Sequence, residues 1–384
     1  MKIGIFTPYL KAYGGGEKYI CKIAEILSKK HYVEFIVTKE FKLTELENKL
    51  NVNLNNVNIN KIYMNKTSNL YDFNYLHRRF TEITAISKLT KNYNIFINQE
   101  HFSIIPSYAS KSYLICEVPP RIDTMFLLNH NPFTNLIFDP WLKTYNTIIT
   151  NSYYTKQWVE NIYTKSNKNI LVLYPPVDDE FRPLNKENII LNVGRFFVKG
   201  HSKKQLEIIK FFKQIFEQYD EIKRWELHLV GSVHNYKKDQ TYIEYCKKES
   251  KGYPIYFHIN TPYKSLLDLY GKAKIYWHAT GFNINEHKYP DKIEHFGITT
   301  IEAMKSGCVP IVINKGGQKE IVRHNKDGYL WNDALELKKS SLKLIKNENL
   351  WEKMSKSSIE RSRIFGMKNF DKRVKKIFSD NKEE

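Results

Sequence analysis

Cysteine is scarce. The chain has four in 384 residues, Cys21, Cys116, Cys246 and Cys308. They lie far apart, and no two have metal-ligand or redox spacing, which excludes a disulfide framework or a zinc module. Isolated buried thiols in a reducing compartment are expected. Long apolar runs are also missing. No stretch reaches the roughly 18 residues that a bilayer-spanning helix needs. The N-terminal MKIGIFTPYLKAYGGGEKY is too interrupted for a signal-peptide core, and no small-residue cleavage site follows it. A cytoplasmic location is expected, with peripheral membrane contact left open. There is no Asp-x-Asp pair and no clustered His/Asp set, so no metal or other cofactor is expected. Asp178-Asp179 follows a Pro-Pro turn and reads as a hinge.

What the chain has in excess is positive charge, +19 formally. That calls for an acidic partner such as nucleic acid, anionic lipid or a phosphorylated substrate. The lysines are spread along the whole chain, and no helix-turn-helix, zinc-finger or RNA-recognition signature accompanies them, so no nucleic-acid partner is expected. Leu76–Lys91 interleaves basic and apolar residues. It reads either as a half-buried helix with a solvated basic face or as a surface that docks on anionic lipid.

The hydrophobic fraction of 42% is enough for real cores, and the length suggests two or three domains. Short β-rich runs alternate with helical periodicity from end to end. In the first half the strands are Ile3–Thr7, Val33–Thr38, Ile95–Asn98, Tyr113–Glu117 and Thr147–Asn151, with a weaker, Asn-rich candidate at Leu50–Asn60. Glu17–Lys29, Leu76–Leu89 and Ser152–Ile162 read as helices. After the Pro175-Pro176 linker the pattern restarts at Ile189–Val193. It continues through Glu226–Val230, Ile255–His258, Ile275–His278 and Val309–Ile313, with a helix at Gln205–Tyr219. Two successive βα arrays predict two doubly wound, Rossmann-like α/β domains with parallel sheets. Their bounds read as 1–180 and 181–366, with a last segment, 367–384, that carries the helix Phe370–Phe378. Ligands in such sheets bind where strands end, so the loops directly after strands carry the chemistry.

The richest segment is EHFGITTIEAMKSGCVPIVINKGGQKEIVRHNKDGYLW. Glu294 and Glu302 flank Phe296-Gly297-Ile298-Thr299, which opens a helix ending before Gly307. A helix N-terminus offers unpaired amides and partial positive charge to a phosphate, and Gly297 lets the backbone come close. Glu302 can accept hydrogen bonds from sugar hydroxyls, and Glu294 can reach a second ring. Read singly, each carboxylate could merely complement the helix dipole.

Taken whole, Glu294, Phe296-Gly297, Glu302-Ala303-Met304, Gly307, Gly316-Gly317 and Glu320 resemble the signature of the retaining glycosyltransferases of family 4. That resemblance implies the GT-B fold, in which two Rossmann-like domains face each other across a cleft. It also implies transfer of a sugar from a nucleotide diphosphate sugar to an acceptor hydroxyl with retention, in glycan, polysaccharide or glycolipid assembly. NVGRFFVKGHSKKQLEIIKFF is similar to the family's first strand and helix of the nucleotide-binding domain. By that likeness Arg195 and Lys203, with Lys204 close behind, face the donor diphosphate and stabilise it as leaving group. Lys199-Gly200 lies too near Arg195 for that role. Tyr13-Gly14-Gly15-Gly16-Glu17 resembles the family's N-terminal glycine loop. It is no Walker A loop, since no Gly-Lys-Ser/Thr follows. Gly15, Gly16, Gly231 and His278 are the remaining implied donor contacts. The final segment resembles the one that crosses back onto the first domain.

One departure stands out. Where the family often carries a His in a Tyr-x-His-x-Pro context, this chain has Glu117. His101 could substitute from another loop, or Glu117 could act on the acceptor hydroxyl. The expected partners are a nucleotide-sugar donor and a glycan or lipid-linked acceptor. Two other readings stay open: a catalytically idle nucleotide-sugar-binding subunit, and a sugar epimerase of the same fold.

Overall fold

The structure is a computed structural model. It describes residues 1–8, 10, 14–62, 73–99, 104–118, 140–163, 169–198, 202–233 and 235–379, with backbone alone at 73–80, 162 and 163. Tyr13, His101, Lys199-Gly200, Pro119-Pro120 and the end of the C-terminal tail lie outside the described residues, as do the side chains at the start of the Leu76–Lys91 stretch. The chain divides into two compact units. One is Met1–Pro175 with Phe370–Glu384, and the other is Pro176–Asn369.

In the N-terminal unit the strands are β1 (Lys2–Phe6), β2 (Tyr32–Val37), β3 (Val57–Lys61), β4 (Ile95–Asn98), β5 (Lys111–Cys116), β6 (Thr147–Thr150) and β7 (Asn169–Val172). They form one parallel sheet in the order β3-β2-β1-β4-β5-β6-β7. The order reverses between β1 and β4, which makes their C-terminal ends the switch point of the sheet. The central strands are buried on both faces, which is why they read as continuous apolar runs and not as alternating ones. Phe6, Phe96, Leu114 and Ile148 share one core cluster.

The expected strand at Leu50–Asn60 is corrected. Leu50 closes a helix, Leu43–Leu50, and Asn51 caps it in the left-handed region at φ 53°. The strand starts only at Val57. The last helix, Met367–Phe378, buries Phe370, Val374 and Phe378. Phe370 packs on Tyr19 and Phe378 on Tyr113, with ring centroids 5.8 and 4.7 Å apart. Ser152 caps the helix Tyr153–Tyr163, its Oγ accepting from the Thr155 amide at 3.0 Å.

The second unit repeats the design. Its strands are β8 (Glu187–Val193), β9 (Glu226–Gly231), β10 (Ile255–Ile259), β11 (Ala273–His278), β12 (Val309–Ile313) and β13 (Tyr329–Trp331). The order is β10-β9-β8-β11-β12-β13, again parallel, with the switch between β8 and β11. Trp277, Phe212, Ile311 and Trp331 anchor its core. All four cysteines are buried and free.

Candidate active site

Every strand-end residue singled out in the second unit belongs to a loop at, or next to, the β8–β11 switch point. Gly194 and Arg195 follow β8, Gly231 closes β9, and His278 closes β11. The long loop after β11 delivers Glu294 and then Gly297, the N-cap of the helix Ile298–Lys305.

Lys203, Glu294 and His278 meet. Lys203 Nζ lies 2.5 Å from Glu294 Oε2, and His278 Nε2 lies 3.0 Å from the same oxygen. Lys203 and Glu294 side chains are each only 13% exposed. Burial holds the His278 pKa below its ordinary value, with Glu294 pulling the other way. A carboxylate can only accept, so the neutral ring carries its proton on Nε2. Nδ1 is then a bare acceptor, and it has no partner among the described residues.

Lys203 reaches this position because of a glycine. A Cβ on Gly194 would stand 2.5 Å from Lys203 Cγ. Lys203 and Lys204 both precede the helix that follows β8. The helix runs Gln205–Gln218, and Lys204 is its N-cap in the left-handed region at φ 59°. Lys204 Nζ lies 3.9 Å from Glu207. Gln205, fully buried, donates to the carbonyls of Gly194 and Arg195 at 3.0 and 3.1 Å and so fixes the loop after β8. The Arg195 guanidinium lies over the Phe197 ring, 5.3 Å from its centroid, and pairs with no carboxylate among the described residues. Gly231 allows a close backbone approach, since a Cβ there would stand 2.1 Å from the Gly194 carbonyl oxygen.

Glu294 is held from behind by the Gly316-Gly317 turn. The Gly317 amide donates to the Glu294 carbonyl at 2.9 Å. Gly316 has φ 58°, and a Cβ there would stand 2.2 Å from that carbonyl oxygen. Glu286 accepts from the Gly316 amide at 2.9 Å. Gly297 also has a positive φ, 115°, with the buried Gln318 amide against its α-carbon. The Ile298 and Thr299 amides fall in the first helical turn, where no intrahelical acceptor exists.

Two buried tyrosines support this turn, and one of them, Tyr270, carries no sequence signal of its own. Tyr270 donates to Glu302 Oε2 at 2.8 Å, and Tyr276 to Thr299 Oγ1 at 2.8 Å. Burial raises both phenols well above their ordinary pKa, so they stay donors. A buried Tyr hydroxyl needs a partner. That rule is general, and it was masked because aromatics at these positions also read as core. The structure thus joins Lys203 and His278 at one carboxylate, Glu294, and fixes a second, Glu302, through Tyr270. No group of three or more His, Cys, Asp or Glu able to hold a metal occurs among the described residues.

The N-terminal unit has a second polar centre at its own switch point. Gly15 and Gly16 open the helix Gly15–Leu27, and the Gly14 amide is capped by Glu17 at 2.7 Å. Gln99 Nε2 donates to the Gly16 carbonyl at 2.9 Å and to Glu117 Oε1 at 2.7 Å, and Thr7 donates to Gln99 Oε1 at 2.6 Å. Burial pushes the Glu117 carboxyl up to about 7, and Glu17 adds to the rise. No helix among the described residues is long and apolar enough to cross a membrane.

Residues 177–361 match the family described as Glycosyl transferases group 1. Over 238 residues the chain is 26% identical to a GDP-Man:Man(3)GlcNAc(2)-PP-Dol alpha-1,2-mannosyltransferase of Dictyostelium discoideum, covering 58% of this chain and 45% of that protein. The chain thus spans about half the length of the curated relatives it matches. Among solved structures, the sucrose-phosphate synthase of Thermosynechococcus elongatus superposes with a TM-score of 0.72 at 13% identity, over 98% of both chains. Anabaena HepE in complex with UDP superposes at 0.73 and 14% identity, over 98% of this chain and 99% of that one. The fold is that of the GT-B glycosyltransferases, as the Glu294–Glu302 string implied.

Proposed function

We propose that the chain, whose residues 177–361 match the family described as Glycosyl transferases group 1, transfers a hexosyl group from a nucleoside diphosphate sugar to a hydroxyl of a growing glycan. The observation that carries this reading is the cluster of Lys203, Glu294 and His278 at the β8–β11 switch point, inside the matched segment. Lys203 keeps two further N–H donors, and Arg195 has no carboxylate partner among the described residues. Both face the work of holding a diphosphate. As the glycosidic bond breaks, negative charge collects on the leaving phosphate. Fixed cations and first-turn amides stabilise that charge more than they stabilise the ground state, which lowers the barrier. One such donor is worth about 10²–10³ in turnover. Glu302, oriented by Tyr270, accepts from nucleoside or sugar hydroxyls.

Retention of configuration and independence of metal are parts of this proposal. Two cations and the helix N-terminus supply the charge that a metal supplies elsewhere, so turnover should survive EDTA. The mannosyltransferase relatives support a GDP-mannose donor and a lipid-linked glycan acceptor, and the fold neighbour holding UDP makes UDP-sugars the second donor class to test. The +19 charge supports work at an anionic membrane surface.

A thermal-shift and turnover screen with GDP-mannose and UDP-glucose tests the reading. A donor that binds the folded state raises the melting temperature. Binding with release of nucleoside diphosphate, reduced in Arg195→Ala, Lys203→Ala and Glu302→Ala, supports it. Binding without turnover over a panel of glycan acceptors would favour the idle subunit, and altered donor stereochemistry without acceptor would favour an epimerase.

A further inference from the structure

The second unit has a cavity that the donor site does not use. It measures about 520 Å³, and Lys305, the last residue of the helix Ile298–Lys305, lines it. The first turn of that helix belongs to the donor site. Its eight residues, at about 1.5 Å each, hold the two ends roughly 12 Å apart. Phe181, Arg182 and Pro183, which precede β8, form another wall, so the cavity stands at the N-terminal ends of the strands. Ligands of the sheet itself bind at the opposite ends. The walls are tied together. Lys186 Nζ donates to the carbonyls of Ala273 and Ser306 at 2.7 and 2.6 Å, which joins the segment before β8 to the end of the helix. The Val177 amide donates to the Phe365 carbonyl at 3.0 Å, and Asn369 Nδ2 to the Arg363 carbonyl at 3.1 Å.

Floor and rim differ in chemistry. The floor is apolar: Phe181 is buried, with its ring centroid 5.3 Å from that of Tyr270, and Ile359 and Met367 are half-buried. The rim carries Arg182, Lys305, Arg363 and Lys368 against one lining carboxylate, Asp179. Asp179 pairs with Lys305, and Arg363 pairs with Glu360 at 2.8 Å. Asp179, Glu360 and Arg363 are mostly exposed, and ion pairs in that setting are weak, so an incoming anion can compete for both cations. Arg182 and Lys368 are exposed and have no carboxylate partner among the described residues. A free phosphate would meet the rim and leave the apolar floor uncovered. A nucleic-acid strand calls for open aromatic faces on which its bases stack, and Phe181 is only 2% exposed. An amphiphile with an anionic head satisfies both parts.

We propose that this cavity is where the chain docks on an anionic phospholipid. The headgroup phosphate sits among the rim cations, with Arg182 and Lys368 as its free donors, and the adjoining carbons cover the floor. This gives a place to the membrane contact that the +19 charge calls for, and it does not depend on the sugar-transfer chemistry. Because the cavity and the donor site stand at opposite ends of one helix, lipid and donor can be held together.

The test is co-sedimentation with vesicles of phosphatidylcholine alone and of phosphatidylcholine mixed with phosphatidylglycerol. Wild type should bind the mixed vesicles and not the neutral ones, less tightly as salt rises. Arg182→Ala/Lys368→Ala should weaken binding about twentyfold, at about fivefold for each cation lost near the surface. Lys238→Ala/Lys248→Ala is the control. It removes the same charge from two exposed lysines of the helix Lys237–Glu249, no residue of which lines the cavity, and should bind nearly as wild type does. Melting temperature reports that each variant is folded. Three results overturn the proposal: no preference for phosphatidylglycerol, a control variant that loses as much as the cavity variant, or glycerol 3-phosphate binding as tightly as the vesicles, which would mark a site for soluble phosphates. Release of nucleoside diphosphate from a soluble donor should be equal in wild type and both variants. A wild type that docks on the vesicles and binds no nucleotide sugar upholds the docking site and sinks the transfer reading alone.

Discussion

The two units build the same parallel sheet and put polar residues at the same topological place, yet the chemistry differs. At the β8–β11 switch, charges of both signs are drawn together. Lys203 and His278 converge on one oxygen of Glu294. At the β1–β4 switch, the Glu117 carboxyl lies in a neutral network of Gln99, Thr7 and Asn151. The sheet decides where a site can be, and the loops after the strands decide what it does. A buried ion pair suits a partner that brings its own charge.

That contrast can be broken from the charged side with the largest effect. Lys203→Ala should cut transfer about 10²–10³-fold. It should also destabilise the fold, because Glu294 loses its cation in a nearly buried site. The double variant Lys203→Ala/Glu294→Gln should recover stability without recovering turnover. Chemical unfolding beside steady-state kinetics checks both. Gly316→Ala comes next. A side chain at φ 58° that meets the Glu294 carbonyl should cost about 1–3 kcal/mol and misplace Glu294, read as a lower melting temperature with weaker donor turnover.

Tyr270→Phe is milder. It removes one hydrogen bond to Glu302, worth about 1 kcal/mol, so the donor KM should rise by a few-fold with kcat nearly kept. The remaining effect lies in the neutral network and concerns stability alone. The Glu117 carboxyl rises from its ordinary 4.5 to about 7 on folding. The folded state is therefore the better proton binder between those values. Its contribution is full below pH 4.5 and is lost as pH rises through about 7. Melting temperature of wild type should fall over that window relative to Glu117→Gln. A pH-independent difference would remove the titration.

Much of this was readable in the sequence. The paired sheets showed in the alternation of short apolar runs with helical periodicity, because strands buried on both faces keep an unbroken apolar signature. β7 and β13 escaped, since four residues, Asn169–Val172, and three, Tyr329–Trp331, are too few to show a period. Asn-rich flanks hid the helix Leu43–Leu50. Glu294 and Glu302 stand out as a string of residue types at fixed spacing, and Arg195 and Lys203 follow from the family resemblance. Their supports were not. Nothing local announces that Gly194 makes room for Lys203, that Gln205 ties down the loop after β8, or that Tyr270 aims Glu302. Those relations join residues far apart in the chain, and only the folded sheet brings them together.

The central claim is that the charged switch point of the C-terminal unit grips a nucleoside diphosphate. Calorimetric titration of GDP and of UDP into wild type and Lys203→Ala, at one fixed ionic strength, tests it most directly. The account predicts that wild type binds at least one of the two and that Lys203→Ala weakens that binding by about tenfold or more, the loss expected for one charge-assisted hydrogen bond. A wild type that binds neither, or a Lys203→Ala variant that binds as tightly as wild type, would contradict it.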